Sequence, residues 1–102
     1  MDTIERIKEA TARFAPKAEV YLFGSQARGT AHAESDWDLL VLLDQPSVPF
    51  KKEIEIMDQF YDLSLETNEV LVPLVYAKPE WYGKYSITPL FENIKREGIR
   101  LQ

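Results

Sequence analysis

The chain has 102 residues, no cysteine, 45% hydrophobic residues and a net charge of −5 at neutral pH. That length is near the common size of one domain, and a chain without cysteine has neither disulfides nor a thiolate metal site. The basic residues lie in isolated pairs such as Lys51-Lys52 and Lys95-Arg96, which argues against a protein that grips long nucleic acid alone, because that needs clustered Lys and Arg. No apolar run approaches the length of a membrane span. Met1 is followed by Asp2, Glu5 and Glu9 rather than by a basic and apolar stretch, so no signal peptide is expected and the chain reads as soluble and cytoplasmic.

In chain order, Asp2 to Phe14 reads as an amphipathic helix. Ile4, Ile7 and Phe14, with Ala10 and Thr11, follow helical spacing. Asp2 with Glu5 is placed for a capping box, and Pro16 ends the segment. Val20-Tyr21-Leu22-Phe23 is a short β-favouring run and reads as a buried strand. Gly24-Ser25 breaks it, and Gln26-Ala27-Arg28 starts a helix. A strand that turns through Gly-Ser into a helix exposes free N–H groups and the positive end of a dipole, which suits a phosphate. The linker Thr30 to Glu34 holds the only histidine, His32, which reads as a solvated loop side chain.

Asp36 and Asp38 then open a second apolar run, Leu39 to Leu43. Strand residues two apart share a face, so the two carboxylates project together while Trp37 points away. Two such carboxylates are hard oxygen ligands suited to Mg²⁺, which binds through one or two carboxylates plus substrate phosphates. A phosphate cradle beside a magnesium pair points to nucleotide chemistry.

After a turn and loop from Asp44 to Pro49, Lys51 to about Leu65 reads as a helix. Its expected core stripe is Ile54, Met57, Tyr61 and Leu65, with Glu53, Glu55, Asp58 and Asp62 on the solvated side. Thr67-Asn68 turns the chain into a third strand, Glu69 to Tyr76, whose Pro73 removes a ladder donor and predicts an edge position or a bulge. Pro79 starts a short helical turn, followed by a loop through Ser86. Trp81, Tyr82 and Tyr85 form an aromatic cluster, read as packing over the sheet edge with a partner surface as the alternative. Thr88-Pro89 caps a last helix, Leu90 to Glu97, closed by Gly98 at C′, and Ile99 to Leu101 adds a final short strand. The whole makes one α/β (α+β) domain over residues 1–102, with a central mixed sheet and packed helices.

Gly24-Ser25-x-Ala27-Arg28-Gly29 followed by Ser35-Asp36-x-Asp38-Leu39 resembles the signature of the minimal nucleotidyltransferases. These are relatives of the catalytic domain of DNA polymerase β and of kanamycin nucleotidyltransferase, and the resemblance spans nearly the whole chain. It implies a nucleotidyltransferase fold and Mg²⁺-dependent transfer of a nucleotidyl group, AMP from ATP, with diphosphate leaving. Ser25, with the backbone of Gly24 and Ser25, would hold the terminal phosphates. Asp36 and Asp38 would bind two Mg²⁺, and Arg28 would support the loop through an ion pair with a nearby acid, or touch phosphate. Minimal members are paired with small helical HEPN proteins in antitoxin–toxin modules, and the implied acceptor is a hydroxyl of that partner. The sequence also departs from the family. Active relatives carry a third carboxylate on the third strand, but the positions around Val72 are apolar, and Glu69 at the strand start is the one nearby substitute. A degenerate module that binds nucleotide or neutralises a toxin without turnover is therefore the competing expectation. Transfer to a small molecule such as an aminoglycoside is disfavoured, since the elements use up the chain and leave no acceptor domain.

Overall fold

The computed structural model describes residues 2–102. Helix α1 (Thr3–Phe14) starts where Asp2 Oδ1 accepts the Glu5 N–H at 2.8 Å, the reach expected of an N-cap aspartate. Strand β1 (Glu19–Phe23) leads through Gly24 into the single turn α2 (Ser25–Arg28), and β2 (Trp37–Leu43) follows. The long helix α3 (Phe50–Thr67) ends at Asn68, whose φ of 56° is a left-handed C-cap. Next come β3 (Leu71–Ala77), α4 (Lys78–Tyr82), a 3₁₀ turn (Lys84–Ile87), α5 (Pro89–Glu97) and β4 (Ile99–Arg100). The 3₁₀ turn occupies what the sequence predicted as loop.

The four strands order as β3-β2-β1-β4, a mixed sheet. β1 runs antiparallel to β2 with Phe23 opposite Asp38, and β2 runs parallel to β3 with Asp38 beside Val72. β3 is an edge strand in continuous register, so Pro73 sits at the edge without a bulge. Strand alternation then sorts the two faces. Val20, Leu22, Leu39 and Val41 join Ile7, Ala10, Ile56 and Phe60 in the core under α1 and α3. Leu40, Leu42, Trp81 and Ile94 form a second core on the other face, with Tyr21, Phe23, Leu74 and Tyr76 packed on it. The aromatic cluster belongs to this second core: Trp81 is buried, and its ring centroid lies 5.1 Å from Tyr76 and 5.3 Å from Phe91.

Two local expectations are corrected. The buried stripe of α3 is Ile56, Phe60 and Leu63, whereas Ile54, Met57, Tyr61 and Leu65 are exposed. Both sets obey helical spacing and lie roughly a third of a turn apart around the axis. Phe60 decides between them by packing edge-on against Phe14, with centroids 5.3 Å apart. Gly98 closes α5 with an extended backbone, φ −65° and ψ 141°, not a left-handed one. Its reason is close approach: a Cβ there would stand 2.5 Å from Ile94 O, while the Gly98 N–H donates to that same oxygen at 2.7 Å.

Candidate functional site

The site begins at the end of β1, where the chain must turn sharply beside Asp38. Gly24 takes φ 76° and ψ −158°, a conformation that L side chains rarely adopt, and a Cβ at this position would run into the Asp38 carboxylate. Glycine thus lets the loop lie against the acid. Ala27 and Arg28 return their N–H groups to Gly24 O, both at 3.1 Å. The earlier N–H groups, at Ser25 and Gln26, are those a helix start leaves without an intrahelical acceptor. With four residues in α2, few peptide dipoles add up. Any hold on phosphate therefore rests on these N–H groups and the Ser25 hydroxyl more than on a macrodipole.

Asp38 lies within β2 and is half-buried; Asp36 precedes the strand and is exposed. Burial first, and then the charge of Asp36, push the Asp38 carboxyl above its ordinary range, while Arg28 pulls it back. Two carboxylates that repel in this way favour a cation between them. Trp37, pointing to the opposite face, packs against the α1/α3 core.

A cleft of about 480 Å³ collects most of the predicted residues. Gly24, Ser25, Arg28 and Asp38 line one wall, with Phe23 beside them; Leu90, Asn93, Arg96 and Glu97 of α5 form the other. Arg28 Nη1 lies 3.2 Å from Glu97 Oε2, which ties α2 to α5 across the cleft. Bonding to Arg28, outweighing burial and aided by Arg96, holds Glu97 below the usual carboxylate range. Asn93 and Arg96 escaped the sequence reading. Arg96 Nη2 donates to Asn93 Oδ1 at 3.1 Å and meets Glu97 Oε1 at 3.4 Å, so a second guanidinium borders the cleft. No local motif marks them; only the folding of α5 over the sheet brings them there.

Glu69 is not brought to the aspartate pair. Its Oε2 accepts the Trp37 indole N–H at 3.3 Å, which places it on the α3 side of the sheet. The strand neighbour of Asp38 on its own face is the half-buried, apolar Val72. Among the described residues no three His, Cys, Asp or Glu side chains come together as a metal cluster. His32 is exposed, its Nδ1 accepting the Glu34 N–H at 3.3 Å.

A mixed sheet that sets Asp38 beside a Gly-Ser turn, with Asp36 just ahead of the strand and outside the cleft lining, defines a nucleotidyltransferase fold. The profile of the nucleotidyltransferase domain family matches residues 4–94, and the chain belongs to that family. Among solved structures it is similar to a toxin–antitoxin crystal structure with AMP-PNP, at a TM-score of 0.69 and 21% identity, covering 97% of this chain and 72% of that one. It is also similar to a mutant of the toxin–antitoxin MntA-HpeT in which two aspartates two positions apart are changed to glutamate. There the TM-score is 0.70 and the identity 20%, over 97% of this chain and 72% of that one. A third, an MntA-HpeT mutant with a tyrosine changed to alanine, gives 0.68 and 21%, over 96% and 70%. At these identities the likeness is one of fold. A comparison with curated protein sequences finds no match.

Proposed function

We propose that this chain is the nucleotidyltransferase antitoxin of a HEPN/MNT-type pair, moving AMP from ATP onto a hydroxyl of its partner protein. The observation that carries the reading is the gathering of Gly24, Ser25, Arg28 and Asp38 at one cleft, with the Asp36 charge acting on Asp38. Family membership and the fold shared with toxin–antitoxin structures, one of them with AMP-PNP, support it. The donor set fits magnesium: two hard carboxylates, one raised by burial and then by the other's charge, with room for phosphate oxygens to complete the shell. Asp36 and Asp38 would hold it. Bound there, Mg²⁺ supplies charge neutralisation of the phosphates and a lower pKa for the acceptor hydroxyl.

This chain's own residues orient and bind. The Ser25 hydroxyl and the loop N–H groups take the terminal phosphates, and Arg96 adds positive charge from the facing wall. Arg28, engaged by Glu97, keeps the loop in place. In the reaction the acceptor oxygen bonds to the α-phosphorus, the bond from that phosphorus to the diphosphate oxygen breaks, and diphosphate leaves. The hydroxyl proton passes to water, because Val72 stands where a third carboxylate would take it. That same residue favours a second reading, a module that binds nucleotide or neutralises a toxin without turnover.

Calorimetry tests the binding step. Asp36→Asn with Asp38→Asn removes both charges with little change in volume, so the folded double variant is expected to lose Mg²⁺-dependent ATP binding. Unchanged binding would remove the metal assignment.

A further inference from the structure

Away from the cleft, one large apolar feature is left uncovered. Along α3, Phe50, Ile54, Met57, Tyr61 and Leu65 recur at helical spacing and all are exposed, Tyr61 at 64% and Leu65 at 66%. Val70, 58% exposed, continues the row beyond the turn at Asn68. Between the row and the start of β3 runs a groove of about 460 Å³, walled by Met57, Tyr61, Leu65, Val70 and Pro73. Single exposed apolar residues are ordinary, but a continuous row along a helix marks a surface that is covered in use.

The charges around the row are mostly acidic, with Glu69 in the groove itself and Lys51 the one base on the Asp58 flank of α3. Asp58 and Asp62 are exposed on α3, while Glu53 and Glu69 stand on the β3 side. Among the described residues Glu53, Asp58 and Asp62 take part in no ion pair. We propose that this face docks an amphipathic helix of a partner protein, apolar on its buried side and flanked by Lys and Arg. Grooves of this kind take helices through anchors spaced three and four residues apart, the spacing of the row itself. A second copy of this chain fits less well. Twofold pairing brings the same mostly acidic patch to both sides, in a chain of net charge −5.

The groove ends one strand away from the strand that carries Asp38. Val70 O accepts the Trp37 N–H at 2.9 Å, and Trp37 sits between Asp36 and Asp38. A helix lying along the row therefore ends at the β3 edge of the sheet, next to β2 but on the face opposite the Asp38 side chain. Docking itself needs no transfer reaction; that the docked chain presents its hydroxyl at the cleft rests on the proposed function.

The test uses two fluorescent amphipathic peptides as long as α3, with identical Leu stripes, one flanked by Lys and one by Glu, titrated by anisotropy. The Lys-flanked peptide is expected to bind about tenfold more tightly than the other, and to weaken as salt rises. Two variants, Tyr61→Ser with Leu65→Ser, and Asp58→Lys with Asp62→Lys, each lose about tenfold in affinity for it. Both pairs are exposed, and circular dichroism confirms that the variants fold. Equal binding of the two peptides overturns the proposal, as does full binding by the Tyr61/Leu65 variant. A wild-type dimer in light scattering that this variant turns into monomer overturns it too, in favour of a second copy. ATP titration of the same variant separates the two claims. Peptide binding lost with ATP binding intact supports the surface, whereas wild type that binds peptide but no ATP sinks the proposed function alone.

Discussion

An aspartate half-buried beside a second aspartate is at a disadvantage when ionised, and Asp38 is in that position. Its folded pKa stands above the ordinary 3.8, through burial first and Asp36 second. A raised folded pKa means that the stabilising contribution is fully present below the unfolded value and is lost as pH rises through the folded one. At neutral pH, without a cation, the charged carboxylate therefore costs stability. Asp38→Asn is expected to raise the melting temperature at neutral pH, with the gain shrinking as pH falls through the raised folded pKa and gone below 3.8. Thermal melts across that range check it, and a lower melting temperature at neutral pH would contradict it. Ser25 carries a different expectation. One hydrogen bond to a charged group is worth roughly 1.5–3 kcal/mol, or about tenfold or more in affinity. Ser25→Ala should thus weaken ATP far more than AMP, because the loop is proposed to hold the terminal phosphates. Equal weakening of both ligands in calorimetry would place Ser25 elsewhere.

At the scale of elements, the strand-turn-strand unit was legible because its signals are local. Val20 to Phe23, the Gly-Ser break and the Asp-x-Asp opening of β2 lie close together in sequence, and alternation sets Asp38 opposite to Trp37, while Asp36 precedes the strand and is not placed by it. The edge position of Pro73 followed from residue type, whereas the alignment of Val72 with Asp38 is seen only in the strand register. The rotation of α3 was not legible, since two apolar stripes on one helix satisfy the same periodicity and only the partner rings choose between them. Asn93 and Arg96 were hidden for a related reason: a short amphipathic helix does not announce what its polar side will face. The register of β3 supports a further prediction. Val72→Asp sets a third carboxylate beside Asp38 on the same face, so Mg²⁺ affinity should rise, and so should the rate of AMP transfer if the parent chain is limited by a missing base. Metal titration and a transfer assay measure both. Unchanged values in a folded variant would show that Val72 does not face the chemistry.

Taken whole, the molecule divides its work between the two faces of one sheet. The cleft lies on the face covered by α4 and α5, held together where Arg28 meets Glu97. The other face carries α1 and α3, and α3 leaves its unburied apolar row to solvent. Across the cleft from Ser25 and Asp38 stands only α5, and the proposed acceptor is a hydroxyl of a partner protein. Turnover is therefore expected to be slow or absent until a partner chain supplies the hydroxyl. The most direct measurement incubates the purified protein with labelled ATP and Mg²⁺, alone and with the protein encoded beside it, and reads intact masses. The account predicts added AMP on the partner alone, lost with Asp36→Asn and Asp38→Asn. A stable complex that gains no AMP would contradict the transfer claim, and rapid labelling of a free small molecule without any partner would contradict the account altogether.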